Sequence, residues 1–579
     1  MKKLYLLMML FLLVISSSAQ IFKRLDFSPV TLSTFTQNGY HGAAWGELNA
    51  DGYPDLVTSH GFLYLSDGSG GFTISLIDTA YSNSLNPSTL PGGIAIADYD
   101  NDGFNDLFIA GVPAALFQND GTGHFIKIVE GAFGHPEDSL PSWTVAVADA
   151  DLNGFVDAVF THPAGFIRGI QPRPSLLMLN HNGLLNLDTT YGFTSNIGSY
   201  TTATWIDYDD DRDQDLFIAS GPANSTGLDS LYTNVTSDSG FLENFLEPSN
   251  LSFSHEQQNG QLYNGVDLDN DLDIDIILTN YNRAPNRVYK NDDGNFYEIE
   301  VPFTVDGPAL TNTWGDLDND GDQDVILSYD LRGPLNAYLN DGQGNFTYDP
   351  CIMGHLTGGT GIVLADYDKD GLLDMYESGW FFSRALFHNI LSTENNWVQF
   401  DLEGTQSNRS AIGAKIFLQA SINGKQIWQR RDVSTQNSFN GHNDLRQHFG
   451  LGDANTIDSV IIFWPGGLND TFTNLNTNSF YHIIENDQIT SNENVAPLSE
   501  NRIKIFPNPS KDTMQILFDS SISGSKIRIL DVMGKQLFHK ALRGEQSLEL
   551  NVSDWPRGTY YLHSIDKVGN QYHKPILIQ

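Results

Sequence analysis

Seven short stretches of this chain place oxygen-bearing side chains, mostly carboxylates, at alternate positions just ahead of an apolar run. The plainest is "DLDNDGDQDVIL", which sets Asp316, Asp318, Asp320, Asp322 and Asp324 within nine residues. Like charges at this spacing repel one another unless a cation sits among them. Side chains at positions 1, 3, 5 and 9 offer hard oxygens and position 7 can offer its backbone carbonyl, a donor set that suits Ca²⁺ with its roughly six to eight oxygen ligands. An EF-hand would add a bidentate Glu at position 12 and flanking helices. Position 12 is instead Leu327 here and Ile109 in the second copy, and the surrounding residues alternate as strands do. The chemistry points to a calcium loop within a β-hairpin.

The predicted ligands are Glu47, Asn49, Asp51 and Asp55 in loop one, Asp98, Asp100, Asp102 and Asp106 in loop two, and Asp149, Asp151, Asn153 and Asp157 in loop three. Loop four offers Asp207, Asp209, Asp211 and Asp215, and loop five Asp267, Asp269, Asp271 and Asp275. Loop six offers Asp316, Asp318, Asp320 and Asp324, and loop seven Asp366, Asp368, Asp370 and Asp374. Position 6 is Gly in five copies but Arg212 and Leu272 in loops four and five. A side chain there costs about 1–2 kcal/mol if φ is positive, so those two loops depart from the pattern.

The elements that must hold these loops recur with them. The copies begin 51, 51, 58, 60, 49 and 50 residues apart, and each is followed by a second motif such as "LFQNDGTGHF" (116–125) or "YLNDGQGNF" (338–346). Four short strands per unit, with Asn/Gly turns, is the pattern of a β-propeller blade. The expected fold is all-β: a seven-bladed propeller, then a small β domain and a C-terminal β-sandwich. The seventh unit stops at "LFHN" (386–389), and "IFKRLDFSP" (21–29) looks like its missing outer strand. Closing the ring in this way removes exposed sheet edges.

These motifs resemble the FG-GAP/VCBS repeats of bacterial exported proteins and integrin α-chain propellers. The resemblance covers about 30–390 and implies structural calcium loops on one face. "NNWVQFDLEGTQSNRSAIGAKI" (395–416), "RQHFGLGD" (446–453) and "VIIFWPGG" (460–467) resemble an ASPIC/UnbV domain. Arg409 and His448 in it read as holders of turns or ion pairs. "IKIFPNPSKDTMQILF" (503–518), "IRILDVMGKQLF" (527–538) and "RGTYYLHSIDKVGNQYHKPILI" (557–578) resemble the type IX secretion sorting domain of Bacteroidota. The expected divisions are 1–19 signal peptide, 20–392 propeller, 393–486 ASPIC/UnbV-like domain, 487–500 linker and 501–579 sorting domain.

Composition agrees with an exported, metal-dependent protein. The formal net charge is −40, which argues against nucleic acid and anionic membranes as partners. Residues 501–579 carry 11 Lys/Arg and 7 Asp/Glu, a net +4, so the remainder carries −44. Lys2, Lys3, an apolar run from Leu4 to Ile15 and small residues at Ser17 and Ala19 read as a Sec signal, too short to span a bilayer. No second apolar span suggests a transmembrane segment. A single cysteine, Cys351, leaves no intrachain disulfide to stiffen the fold.

The function expected is a secreted or cell-surface binding and adhesion module for a glycan or protein ligand, exported through Sec and the type IX machinery. Arg168, Arg173, Arg283, Arg332, Trp380 and Arg384 mix cations and an aromatic on the face opposite the acidic loops. The alternative is an extracellular polysaccharide lyase or hydrolase on the same scaffold. No GxSxG, HExxH or Cys/His set appears, and "HEQQN" (255–259) lacks the second His, which favours the non-enzymatic reading.

Overall fold

The computed structural model describes residues 20–486 apart from 27, 33–39, 85–91, 112, 135–140, 163–173, 222–227, 240–244, 254–258, 282–283, 305–308, 330–334, 349, 351–358 and 380–383. It also describes 490–492 and most of the strands within 503–578. The expected signal peptide lies outside these residues.

Residues up to Asn389 form seven four-stranded antiparallel sheets. Their first strands are Ala43–Gly46, Ile94–Ala97, Thr144–Ala148, Tyr200–Ile206, Gly260–Val266, Ala309–Gly315 and Ile362–Ala365. Each first strand neighbours the next in this order, and the last returns to the first, so the sheets close into a ring. The first strands are almost wholly buried and rich in Ala, Gly and Thr, because backbones crowd together toward the axis. Fourth strands such as Phe72–Leu76 and Tyr297–Ile299 lie at the rim and are largely exposed.

The N-terminal segment closes the ring as its sequence suggested. Phe22–Arg24 pairs antiparallel with Ala385–Asn389, with Phe22 opposite Asn389. Phe22 is fully buried among Ile362, Leu364, Met375 and Phe387.

Two further sheets follow. One joins Asn396–Glu403 to Gln447–Gly452 and, in parallel, to Ser479–Ile484, which pairs with Thr490–Asn492. The other joins Lys425–Asp432, Lys415–Ile422, Thr456–Phe463 and Asn469–Asn476. Residues up to Asn492 pack as one compact unit, with one core running through Val145, Val159, Phe400, Ile416 and Trp464.

Glu493–Gln579 is a second unit. Its sheets, Ile503–Phe506/Thr513–Phe518/Ser547–Asn551 and Gln536–Ala541/Lys526–Asp531/Gly558–Ile565/Gln571–Ile578, share a core of Ile516, Ile527, Ile529, Leu562 and Ile576. Two sheets on one core make the sandwich expected from the alternating pattern.

Candidate metal centre

Every acidic loop joins the first strand of its sheet to the second, and the position-9 aspartate opens the second strand in all seven copies. The loops share one backbone path. Position 4 has positive φ throughout (Ala50, Asn101, Leu152, Asp210, Asn270, Asn319, Lys369), and so does position 6. Gly occupies position 6 in five loops, while Arg212 and Leu272 adopt φ of 85° and 78° there. The strain foreseen for loops four and five is therefore present.

Two carboxylates organise each turn. In loop six the position-1 Asp316 accepts from the amides of Asp320 and Gly321 at 3.2 and 2.9 Å. The position-9 Asp324 accepts from Leu317 at 2.9 Å and from Asn340 at 2.9 Å. The same position-9 pair of bonds recurs in loops one to five. Loop seven keeps only the second, from Asn389 to Asp374, and His388 Nδ1 lies 3.0 Å from the same oxygen.

Position 3 behaves differently. One buried carboxylate oxygen of Asp100, Asp151, Asp269, Asp318 and Asp368 has no hydrogen-bond partner, and neither does Asp207 Oδ1 at position 1 of loop four. An anionic oxygen left so costs upwards of about 1–3 kcal/mol unless a cation answers it. In loops two, three and four the carboxylates of positions 1, 3 and 9 bring ligand oxygens within 4.8 Å of one another, in loop five those of positions 1, 3 and 5 (Asp267, Asp269, Asp271) do, and in loop seven Asp368, Asp374 and His388 do. Oxygen clusters with stranded lone pairs are the donor chemistry of a hard divalent ion.

The electrostatics agree. Burial, and then the neighbouring carboxylates, push Asp320 up to about 9. Burial and then Glu47 raise Asp55 to about 9. Asp275 rises to about 8, and Asp98, Asp149 and Asp316 to about 7, chiefly through burial. Without a cation these loops hold protons that ordinary aspartates release.

The asparagine of the second motif was not singled out in the sequence, yet it clasps neighbouring sheets. Asn340 Nδ2 donates to Leu268 O of the preceding acidic loop at 2.8 Å and to Gln323 O of its own at 3.1 Å. Asn119, Asn180, Asn234 and Asn389 do the same to the carbonyls of Leu48, Tyr99, Ala150 and Leu317. In the first sheet Ser66 Oγ reaches Tyr367 O at 3.3 Å, so the clasp also crosses the closure. The recurrent "ND" was the available signal, and its offset from the acidic motif carried the information.

The residues after Asn395 dock on the acidic-loop face. Lys415 Nζ lies 2.5 Å from Asp207 and 2.6 Å from Asp210, and Arg430 pairs with Asp210 at 2.8 Å. Gly450 N donates to Asp316 and Gln399 Nε2 to Asp366. Ser410 Oγ accepts from Asp98 N, and Arg446 donates to Gly52 O. Gln406 O comes against Gly154, and Arg430 donates to Leu272 O. All seven loops are thereby touched. His448 and Arg409 serve this docking: His448 Nε2 meets Asn319 Oδ1 at 2.7 Å, and Arg409 pairs with Glu403 while its amide donates to Asn101. Burial pulls His448 down to about 3, so it docks as a neutral ring.

Residues 435–444 enter the centre of the ring. His442 Nε2 accepts from Ile96 N at 2.8 Å, so its proton sits on Nδ1, which donates to Asn443 O. Thr435, Ser438, Asn440 and Asn443 bond Val147, Ile362, Ile94 and Leu364. Phe439 packs with Trp143 and Leu310. A Cβ at Gly42 would overlap Asn440 O, which explains a glycine beside that first strand.

Of the six predicted ligand-face residues only Arg384 falls among the described residues. Arg168, Arg173, Arg283, Arg332 and Trp380 lie outside the described residues, and Arg384 is only 7 % exposed.

Comparison with known families bears on this architecture directly. The FG-GAP-like repeat model matches 48–109, 98–160, 267–327 and 316–376, the "ASPIC and UnbV" model matches 404–490, and the "Secretion system C-terminal sorting domain" model matches 504–579. The chain carries FG-GAP-like repeats, an ASPIC/UnbV domain and a type IX secretion sorting domain. Loop four, with Arg212 at its turn, falls outside the matched FG-GAP repeats. The sorting domain marks the protein for handling by the secretion machinery and for export to the cell surface or beyond. No helix among the described residues is long and apolar enough to cross a membrane.

Two curated relatives are similar over short stretches. An endo-acting ulvan lyase of Formosa agariphila is 26% identical over 106 residues, 18% of this chain and 20% of that protein. Mouse cartilage acidic protein 1 is 29% identical over 145 residues, 24% of this chain and 22% of that protein. The chain thus spans about a fifth of the length of these relatives. Among solved structures, the PorZ surface component of the Porphyromonas gingivalis type IX system aligns at 12% identity over 93% of this chain and 81% of that one, with a TM-score of 0.26. A Penicillium chrysogenum α-L-arabinanase aligns at 12% over 64% and 96%, with a TM-score of 0.29. Scores this low say nothing about function.

Proposed function

We propose that the protein is a calcium-stabilised binding and adhesion module, displayed or released outside the cell after Sec and type IX export, whose ring meets an extracellular glycan or protein. Residues 1–19 act as the signal, 20–392 as the propeller, 393–486 as the docked domain, 487–500 as the linker and 501–579 as the export tail. The observation that carries the calcium reading is the set of buried position-3 oxygens without partners. The loops hold the metal through positions 1, 3, 5 and 9, and the metal stiffens a chain that has one cysteine and no disulfide.

Docking of the ASPIC/UnbV domain on the acidic-loop face supports a ligand at the other end of the ring, where Arg168, Arg173, Arg283, Arg332, Trp380 and Arg384 fall in sequence. The ulvan lyase similarity favours a glycan among the ligand classes, and it also supports the second reading, a polysaccharide lyase or hydrolase. A glycan and protein array probed with the chain lacking 1–19 separates these readings. Retained binding without depolymerisation supports the module, and release of unsaturated or reducing ends from a bound polysaccharide establishes the enzyme. Excess EDTA that leaves the melting temperature unchanged would sink the calcium reading.

A further inference from the structure

Loop five differs from the other loops in what lies on its oxygens. The ammonium of Lys290 spans the carboxylates of positions 3 and 5, with Nζ 2.5 Å from Asp269 Oδ2 and 2.9 Å from Asp271 Oδ2. These are two of the side chains that a divalent ion would need. Lys290 is itself largely buried, with 19 % of its side chain exposed. An ammonium presents three donors as a compact point charge, so it can serve both carboxylates at once.

The other sheets supply the comparison. Lys290 stands in the third strand immediately before Asn291, the counterpart of the clasping asparagines, and the same register holds Leu65, Gln118, Leu179, Thr233, Leu339 and His388. None of these is a primary amine. Gln118, which carries no charge, donates to Asp100 Oδ2, and His388 approaches Asp374 and, at 3.7 Å, Asp368, but not position 5. Lys415, which also lies on a loop's carboxylates, behaves differently. It comes from the docked domain and takes Asp207 Oδ2, leaving Asp207 Oδ1 without a partner. Loops four and five each keep one oxygen without a partner, Asp207 Oδ1 and Asp269 Oδ1, but only in loop five does a single ammonium bridge the carboxylates of positions 3 and 5.

We infer that the Lys290 ammonium is the resident cation of the fifth acidic loop and closes it to divalent metal, while the loops around it remain metal sites. A tethered monovalent charge needs no supply of calcium, so this one loop of the ring holds at any calcium concentration. The inference rests on the calcium reading of the other loops, and the test separates the two.

Bound calcium per chain is measured by equilibrium dialysis for the protein lacking 1–19 and for Lys290→Gln and Lys290→Arg, alongside melting in EDTA. The Gln variant, which copies Gln118, should bind one calcium more than the parent and melt lower than it in EDTA, with the loss regained on adding calcium. The Arg variant keeps a cation and should match the parent's stoichiometry. Equal, non-zero stoichiometry in the parent and the Gln variant overturns the inference and leaves the calcium reading standing. A parent that binds no calcium overturns that reading, and Lys290 is then judged by melting: a Gln variant no less stable than the parent in EDTA refutes it, and a lower melt upholds it. Should the Gln variant not fold, amine acylation of the parent, read by mass spectrometry, decides the matter. Labelling of Lys290 that is equally slow in calcium and in EDTA upholds the resident cation, and labelling that calcium accelerates shows displacement by metal and overturns it.

Discussion

The Thr435 hydroxyl accepts from the Val147 amide at 2.9 Å and donates to the Val147 carbonyl at 2.8 Å. One side chain from the ASPIC/UnbV domain thus satisfies both polar groups of a residue on an innermost strand. That strand runs beside the ring's centre, where its backbone has no further strand to pair with. Repeated around the ring by His442, Ser438 and Asn443, the arrangement makes the second domain part of the ring's hydrogen bonding, and the two pack as one unit.

Replacing Thr435 with Val keeps the shape and removes both bonds, leaving a buried amide and carbonyl unpaired. The loss should be about 1–3 kcal/mol. Urea unfolding followed by tryptophan fluorescence and by circular dichroism should show one shared transition at lower denaturant. Two separated transitions would mean that the domains do not depend on each other.

Lys415 is 5 % exposed at the side chain and its partner Asp207 is fully buried. Lys415→Met strands a buried carboxylate and should cost about 3–5 kcal/mol, the range for breaking one side of a buried pair. The double variant with Asp207→Asn should recover part of that loss. A single variant as stable as the parent would show that the pair contributes nothing.

The clasping asparagines differ among themselves. Asn340→Ala removes the bonds to Leu268 O and Gln323 O, whereas Asn291 reaches only Ile274 O at 3.2 Å. The Asn340 variant should therefore lose more stability, by about 1 kcal/mol. Equal losses in denaturant melts would argue against the clasp between sheets.

Protein stripped of metal should weaken as pH rises. Asp55 and Asp320 stand at about 9 and Asp275 at about 8 in the fold, above the ordinary carboxylate value. The folded chain thus binds more protons than the unfolded one. The contribution is fully present below the unfolded value near about 4 and is lost as pH climbs through 8 and 9. Calcium competes with protons for the same oxygens, so calcium-loaded protein should not weaken in this way. Melting temperatures at pH 5, 7 and 9, with and without calcium, test the opposition, and parallel curves would refute it.

Removing 501–579 should leave the protein in the periplasm, read by fractionation. Normal export of the truncated chain would contradict the role of the sorting domain.

The periodic acidic motif determined much by itself: the number of copies, the four-strand unit, the positions of the carboxylates and the need for a strand from the N-terminal segment, Phe22–Arg24, to complete the seventh sheet. These are local properties, because alternation of side chains and turn chemistry are written within each fifty-residue unit. Even the strain at Arg212 and Leu272 was legible, since only a missing glycine had to be noticed. What the tertiary structure decided depends on contacts between units. The asparagine clasp pairs residues some 70–80 apart, such as Asn340 with Leu268. Lys290 lies over loop five because a third strand runs beside the loop, not because of any neighbour in sequence. The docking of 395–486 on the acidic loops, with residues 435–444 in the ring, joins residues up to about 400 positions apart, as Tyr40 and Asn440 show. No local pattern encodes that approach. It arises because the innermost strands leave polar backbone facing the centre of the ring, and a polar segment that can satisfy it folds there.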